Sequence, residues 1–549
     1  MLFKYEIYDN NGWLYNLKTK EYQVTKLPKL FNGDILNDKF KIVESPVRES
    51  KSLIGIFSTS QTQRFGKNKR GNTIFLVSPL DNKLPSFLIS YGGKLKGKLA
   101  VKFKFTHWEH KLPSGEIIEV IGNYNEENMI PILMNHYNVF PKRIKSRDLI
   151  KNPLEEKINR KKYNSVIFSI DPDNCEDIDD ALSIEYDNDI IIIGVHIAQP
   201  ICWISAEEIY TKMKTQISTL YLDRSRKDLW GETITRESSL FEGQEKPAYT
   251  ILYHYQDNNL IKVEDFPSLI VNNKNLSYDN AFNFANAEKL KNFTKILTSI
   301  NDYHELVSYW MVLTNKIIGE KFNREGKQIP YRVNSEHMSL EDYNLKSLSD
   351  EIKKKFLTKK IEAASYSLES NRHETLGIDN YCHFTSPIRR IIDTYIHYYL
   401  TYCFDNIIFD FDFDCDLINF LDKQTKKFHR ELELNKSISV IFGNTHALEK
   451  TGYIYQFISN NCVEVYIPPI DGFELGFVKV KLYHYKFDYL ISKERINNKL
   501  ILSNTTQPEH IIEYSIGQKV KLKIHKLESV LPKNKLLISL DNEFTLINI

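Results

Sequence analysis

Up to about residue 125, apolar positions come in short alternating runs, such as 73–77 and 101–105. Between them stand Asn10-Asn11-Gly12, Asn32-Gly33-Asp34, Gly92-Gly93 and Pro113-Ser114-Gly115. β-Branched and aromatic residues at period two, punctuated by Gly, Asn and Pro, predict short strands joined by tight turns, as in small barrels. The stretch 142–162 is polar and basic and contains Pro153, so it reads as a connector. A buried strand is expected at 165–170. An acidic loop follows it, then a hairpin with arms 181–186 and 190–197 around Asp187-Asn188-Asp189. Apolar spacings of three and four then dominate, predicting helices around 303–321, 350–368 and 386–402. After about Thr451 short strands return, ending in the β-rich runs 518–526 and 535–540. The order is β-rich, mixed α/β, β-rich, with no internal repeat: a multidomain α+β chain.

A length of 549 residues suggests three or four domains. With 42% hydrophobic and 26% charged residues, the chain can bury several cores. It holds no apolar run of the ~18–20 residues that span a bilayer, so no membrane partner is expected. The opening MLFKYEIYDN lacks the basic and apolar regions of a secretory signal, which points to a cytoplasmic location. The six cysteines form no Cys-x-x-Cys pair, which argues against a thiolate zinc site and suits a reducing compartment. Net charge is +2, which selects no polyanionic partner, although a cleft can still concentrate positive charge. Composition leaves the partner open.

Residues 169–182 read Ser-Ile-Asp-Pro-Asp-Asn-Cys-Glu-Asp-Ile-Asp-Asp-Ala-Leu. Carboxylates as close as Asp171, Asp177, Asp179 and Asp180 repel one another, and burial raises their pKa. A hard divalent cation such as Mg²⁺ or Mn²⁺ removes that penalty and can activate water against a phosphate. An EF-hand calcium loop fails, because Glu176 stands at its glycine and Leu182 at its closing glutamate. On spacing alone, a solvated acidic loop is the commoner outcome.

The second candidate segment is 381–393, Tyr-Cys-His-Phe-Thr-Ser-Pro-Ile-Arg-Arg-Ile-Ile-Asp. Ser386 suits an N-cap and Pro387 a first helical residue. Ile388, Ile391, Ile392, Tyr395 and Tyr399 would share an apolar face, and Arg389, Asp393 and His397 another. A guanidinium held by a carboxylate at a helix N-terminus is a phosphate-binding arrangement. An ordinary capped helix with a surface ion pair, worth about 0.3–0.5 kcal/mol, fits the same residues.

These two segments carry a resemblance. Asp171-Pro172 with Asp177-Ile178-Asp179-Asp180-Ala181, followed by Val195-His196-Ile197-Ala198, resembles the catalytic signature of the RNase II / RNB family of 3′→5′ exoribonucleases. Thr385-Ser386-Pro387-Ile388-Arg389 is similar to the motif that completes that family's active site. The chain is identified as a compact member. The resemblance implies magnesium-dependent, processive hydrolysis of single-stranded RNA, with manganese as the possible alternative, releasing nucleoside 5′-monophosphates. It places Asp171, Asp177 and Asp180 on the metal and Asp179 at the 3′-terminal nucleotide with a share in the metal. Arg389 takes the transition-state charge, and Arg390 the RNA backbone. Ser218–Arg224 resembles the segment whose tyrosine, here Tyr221, stacks on bases, and Asn275–Tyr278 the one whose tyrosine lies near the scissile phosphate. Among 32 tyrosines and 31 phenylalanines, only that context singles out Tyr221 and Tyr278.

The implied domains are OB-type: a first or partial cold-shock barrel over 1–50, a second over 51–125, the RNB catalytic domain with its connector over 126–445, and an S1-type barrel over 446–549. Arg64, Lys67, Lys69 and Arg70, around Phe65, are candidate basic contacts or a solvated turn. Residues 329–333 and 364–366 resemble structural landmarks of the family. A monomer is expected. Three positions depart from the family pattern: Gln199 stands for an aspartate, Ser308-Tyr309 for an acidic pair, and the interval after Tyr278 is short, as though a hairpin carrying a base-stacking aromatic were missing. The rival readings are a catalytically silent RNB scaffold that binds RNA and a metal-dependent DNA nuclease.

Overall fold

The computed structural model describes the chain except residues 1, 9–10, 51, 63–64, 82, 126–127, 141–148, 223–224, 335–347, 361–362, 404–412, 444, 446, 460–461, 471, 473–474, 482–490, 497–498, 505–510, 527–535 and 541–549. Two compact units result. One comprises residues 1–139, 341–350 and 426–549, and the other 140–340 and 351–425. No helix among the described residues is long and apolar enough to cross a membrane.

In the first unit, the alternating runs become a five-stranded N-terminal sheet and a closed five-stranded barrel. The barrel strands are Leu53–Ser58, Thr73–Pro79, Phe87–Tyr91, Lys98–His107 and Ser114–Asn123. Period two works as expected here. Leu99, Val101 and Phe103 point into the barrel with Phe57, Val77 and Phe87. Ala100, between them, packs outward with Ile54, Ile56 and Ile132. The C-terminal strands form a five-stranded and a three-stranded sheet, over a core that includes Ile454, Val463, Val465 and Leu522. Arg64 lies outside the described residues, and Lys67, Lys69 and Arg70 are exposed.

The second unit is built on a sheet that closes on itself. Ile167–Asp171 pairs antiparallel with Asp180–Asp187, which continues through Ile190–Ala198 to Glu245–Gln256. The long strand Asn259–Ser277 pairs antiparallel with Glu245–Gln256 along its first part and parallel with Ile167–Asp171 along its last. The predicted hairpin is present, with Asp187 paired to Ile190, so the turn is the two residues Asn188 and Asp189. Asn188 takes the positive φ of 52° that such a turn favours.

Helices cover this sheet, led by Tyr303–Arg324. Two helical expectations need correction. The 350–368 helix stops at Lys360, because Ser365–Ser367 instead pairs with Tyr331–Val333. The 386–402 helix shrinks to Ile391–Tyr398, followed by a π-helical turn at Tyr399–Cys403. Ser386 is not its N-cap. The Asp393 carboxylate reaches back to accept the Ser386 N–H at 2.8 Å, and the Arg390 N–H returns to the Ser386 carbonyl at 2.9 Å. The segment folds as a tight turn, and Arg390 takes the N-cap position.

Tyr303–Arg324 is the template for that turn. Asn315 Oδ1 accepts the Phe384 and Thr385 N–H groups at 2.8 and 3.2 Å, and its Nδ2 donates to the Tyr381 hydroxyl at 3.0 Å. One turn further on, Gly319 lets the chain at Asn380 lie against the helix, since a Cβ there would meet the Asn380 carbonyl oxygen at 1.8 Å. Backbone cannot yield as a flexible side-chain end can, so overpacking applies. Gly319→Ala is therefore expected to destabilise the protein by about 2 kcal/mol, read as a lower urea midpoint at unchanged m-value.

Candidate active site

Asp171 ends one strand of the closed sheet and Asp180 begins its antiparallel neighbour, so both carboxylates sit at one end of the sheet. Between them the loop turns at Pro172, whose carbonyl accepts the Cys175 N–H at 3.2 Å, and at Asn174, with φ 59°. Ile178 anchors it. That side chain is buried in a cluster with Ile167, Ala181, Ala198 and Leu240, and its carbonyl accepts the Leu240 N–H. Burying Ile178 holds Asp177 and Asp179 in place on either side of it.

Ile388 belongs to the same cluster, so apolar burial joins the acidic loop to the arginine turn. Polar bonds then orient the pair. Asp179, almost fully buried, accepts the Ile388 N–H at 2.7 Å and Arg389 Nε at 3.0 Å. Arg389 Nη2 also donates to the Ser386 hydroxyl at 3.0 Å, and about half of this side chain remains exposed. The expected Arg389–Asp393 pair does not form. With the turn in place of helix, Arg390 is the partner that reaches Asp393, at 2.8 Å.

Asp177 is also engaged. Its carboxylate accepts the Tyr221 hydroxyl and faces Arg226 Nη1 at 3.3 Å, while Arg226 binds Asp228 through Nε at 2.7 Å. Tyr221 and Arg226 lie on facing strands of a small hairpin, Leu220–Tyr221 with Arg226–Lys227. That hairpin is bonded to the arginine turn: the Thr219 N–H donates to the Arg389 carbonyl and the Ile391 N–H to the Ile217 carbonyl. Asp223 and Arg224 lie outside the described residues.

Asp171, Asp177, Asp179, Asp180, Tyr221, Tyr278, Arg389 and Arg390 thus line one cleft of about 550 Å³. His304, Ser308, Asn315 and Cys175 line it too. The motifs did not single out His304, Asn315 or Arg226. Each acts through a contact made only in three dimensions, and nothing local marks it. Of the departing pair, Ser308 faces the cleft, and Tyr309 packs on Trp310 at 5.2 Å. The wall therefore offers a hydroxyl where the family pattern has a carboxylate. Gln199 is buried just beyond Ala198, at the strand end that pairs with Asp179 and Asp180, accepting Arg160 Nη1 at 2.5 Å and donating to the Thr401 hydroxyl at 2.8 Å. Arg160 already pairs with Glu155, so a neutral partner suffices at Gln199.

The electrostatics show what the cleft lacks. Burial pushes Asp171 up to about 6, with the Asp177 charge adding to it. Burial raises Asp179 to about 7 despite Arg389 and the Ile388 N–H. Burial, with Asp171 and Asp179 as like charges, drives Asp180 well above the ordinary carboxylate range. Asp171 Oδ2 is buried without a hydrogen-bond partner. Among the described residues, no three His, Cys, Asp or Glu side chains converge closely enough to encircle an ion. Asp177 and Asp179 are turned to their own partners, leaving Asp171 and Asp180 as hard oxygen donors that a divalent cation would satisfy.

Comparisons with known proteins bear on the fold and the matched span. The family model for the RNB domain matches residues 160–298 and 289–405. Ribonuclease R of Aquifex aeolicus is 24% identical over 466 residues, covering 68% of this chain and 66% of that protein. The chain spans about two thirds or less of the length of the curated relatives it matches. Mycoplasma genitalium RNase R, solved with ribose-methylated single-stranded RNA, matches with a TM-score of 0.77 at 15% identity, over 98% of this chain and 100% of that one. Yeast Ssd1, described as a pseudonuclease, matches at 0.72 and 12% identity over 99% and 97%. Those two likenesses speak for the fold alone, a multidomain α+β architecture with OB-type barrels around a mixed α/β domain. The matched span holds both the acidic loop and the arginine turn, so residues 160–405 are similar to an RNB domain.

Proposed function

We propose that the protein is a 3′→5′ exoribonuclease that hydrolyses single-stranded RNA with Mg²⁺ and releases nucleoside 5′-monophosphates. The observation that carries this is the gathering of Asp171, Asp177, Asp179 and Asp180 with Arg389 in one cleft, although the two segments lie some two hundred residues apart. The relatives named Ribonuclease R give it family support.

Asp171 and Asp180 would hold the cation, and when bound it supplies a water of lowered pKa and charge neutralisation at the phosphate. Asp177 and Asp179 would join only by giving up part of their present hydrogen bonding. Arg389, fixed by Asp179 and Ser386, keeps donors free to take up charge on the phosphate. Arg390, tied to Asp393, is suited to the RNA backbone. Tyr221 is 44% exposed, with its hydroxyl bound to Asp177, so its ring is available as a platform for a base.

Ssd1 makes a silent scaffold the second reading, since a pseudonuclease shares this fold. The retained carboxylates favour the enzyme: their mutual repulsion is a standing cost that a pure binding protein has no chemical reason to keep. A 5′-labelled RNA incubated with the protein and Mg²⁺ should shorten progressively. Asp179→Asn and Arg389→Ala should each slow this by on the order of a hundredfold. RNA bound but left intact by the wild type would establish the scaffold, and equal cleavage of a DNA oligomer would reject the preference for RNA.

Metal binding has its own readout. In metal-free buffer, the stability that Asp171 contributes is whole below about pH 4, its unfolded pKa, and drains away as the pH rises to about 6. Asp171→Asn should therefore gain about 2 kcal/mol on the wild type across that window, measured by urea unfolding. Asp180→Asn should also melt higher than the wild type at neutral pH without metal. Mg²⁺ should raise the wild-type midpoint and leave that of Asp180→Asn in place.

A further inference from the structure

The interval after Tyr278, where the family pattern leads one to expect a base-stacking aromatic, returns an aromatic to the cleft by another route. Tyr278 follows directly on Ser277, which pairs with Asp171 across the parallel strands. The phenol thus lies at the same sheet end as Asp171 and Asp180. Burial and those two carboxylates push it up to about 12.

Against its ring lies the imidazole of His304, with centroids 3.5 Å apart and planes 14° from parallel. His304 sits in the first turn of Tyr303–Arg324, and that turn is firmly held. Asp302 caps it by accepting the Glu305 N–H at 3.0 Å. The Tyr303 hydroxyl donates to Glu288, and Lys291 lies 4.7 Å from the Tyr303 ring centroid while pairing with Glu288 at 2.6 Å. His304 itself is exposed, so its ring contributes little to the core. A stack this close covers one face of the phenol, which also packs against the main hydrophobic core of the unit.

We infer that His304 is a positioning residue, one that holds the Tyr278 hydroxyl beside Asp171 and Asp180 so that Tyr278 meets the RNA through its hydroxyl and not as a platform for a base on its covered face. This rests on the nuclease reading. His304 acts through Tyr278, and its effect should vanish once the hydroxyl is gone.

A double-mutant cycle in steady-state cleavage of single-stranded RNA with Mg²⁺ tests this. His304→Ala should lower kcat about tenfold with little change in KM, because orientation is lost and not binding. His304→Phe, which restores a flat ring, should return kcat to near the wild-type value. Tyr278→Phe should lower kcat at least as far, and adding His304→Ala to it should cost nothing more. Thermal midpoints of all four variants should stay near the wild type, as expected for an exposed ring.

Four results would overturn the inference: a His304→Ala kcat equal to the wild type, a rise in KM alone, additive losses in the double variant, or a phenylalanine no better than alanine. A wild type that leaves the RNA intact rejects the nuclease reading and this inference with it, an outcome distinct from all four.

Discussion

The cleft depends on one buried carboxylate. Asp179 accepts a backbone N–H from Ile388 and a guanidinium N–H from Arg389, and so joins two segments that lie about 210 residues apart in the chain. Loop closure over such a distance is unfavourable, and the apolar cluster of Ile178 and Ile388 offsets it. The hydrophobic contact brings the segments together without direction. The carboxylate supplies the direction, because only one orientation of the arginine turn satisfies both of its oxygens.

The same compactness creates a conflict. Asp171, Asp179 and Asp180 are crowded into low-dielectric surroundings, and each is pushed above its ordinary ionisation range. Asp179 has donors that partly compensate, and Asp171 keeps an oxygen with none. A site poised this way is less stable empty than a neutral substitute would be, which is the usual relation between stability and function at charged centres. The fold tolerates this because the surrounding sheet closes on itself and supplies rigid strand ends.

Much of this was legible in the chain. Period-two alternation found the barrel strands, whose successive side chains point into the barrel and out of it by turns, and the turn at Asp187-Asn188-Asp189 marked the hairpin, whose arms are buried on both faces. The acidic loop and arginine turn were readable as motifs, and all eight candidate side chains reached one cleft. What failed was local geometry. The spacing of Ile388, Ile391 and Ile392 is helical, but the Asp393 carboxylate captures the Ser386 N–H and bends the chain into a turn. The ion pair therefore belongs to Arg390 and not Arg389. The strand at Ser365–Ser367 was hidden for a related reason, its partner Tyr331–Val333 being distant in sequence. Arg226, His304 and Asn315 carry no local signal, since their roles arise from neighbours that only the fold supplies.

The Tyr303–Arg324 helix has a mechanical consequence. His304 and Gly319 are fifteen residues apart, about 22 Å along a rigid rod, with Ser308, Met311 and Asn315 spaced along the same stripe. One end touches the wall of the cleft, and the other is wedged against the backbone at Asn380. A rod gripped at both ends transmits an axial slip with little loss. A shift of the chain at Asn380 would thus be passed along the helix to Asn315 and His304 in the cleft wall.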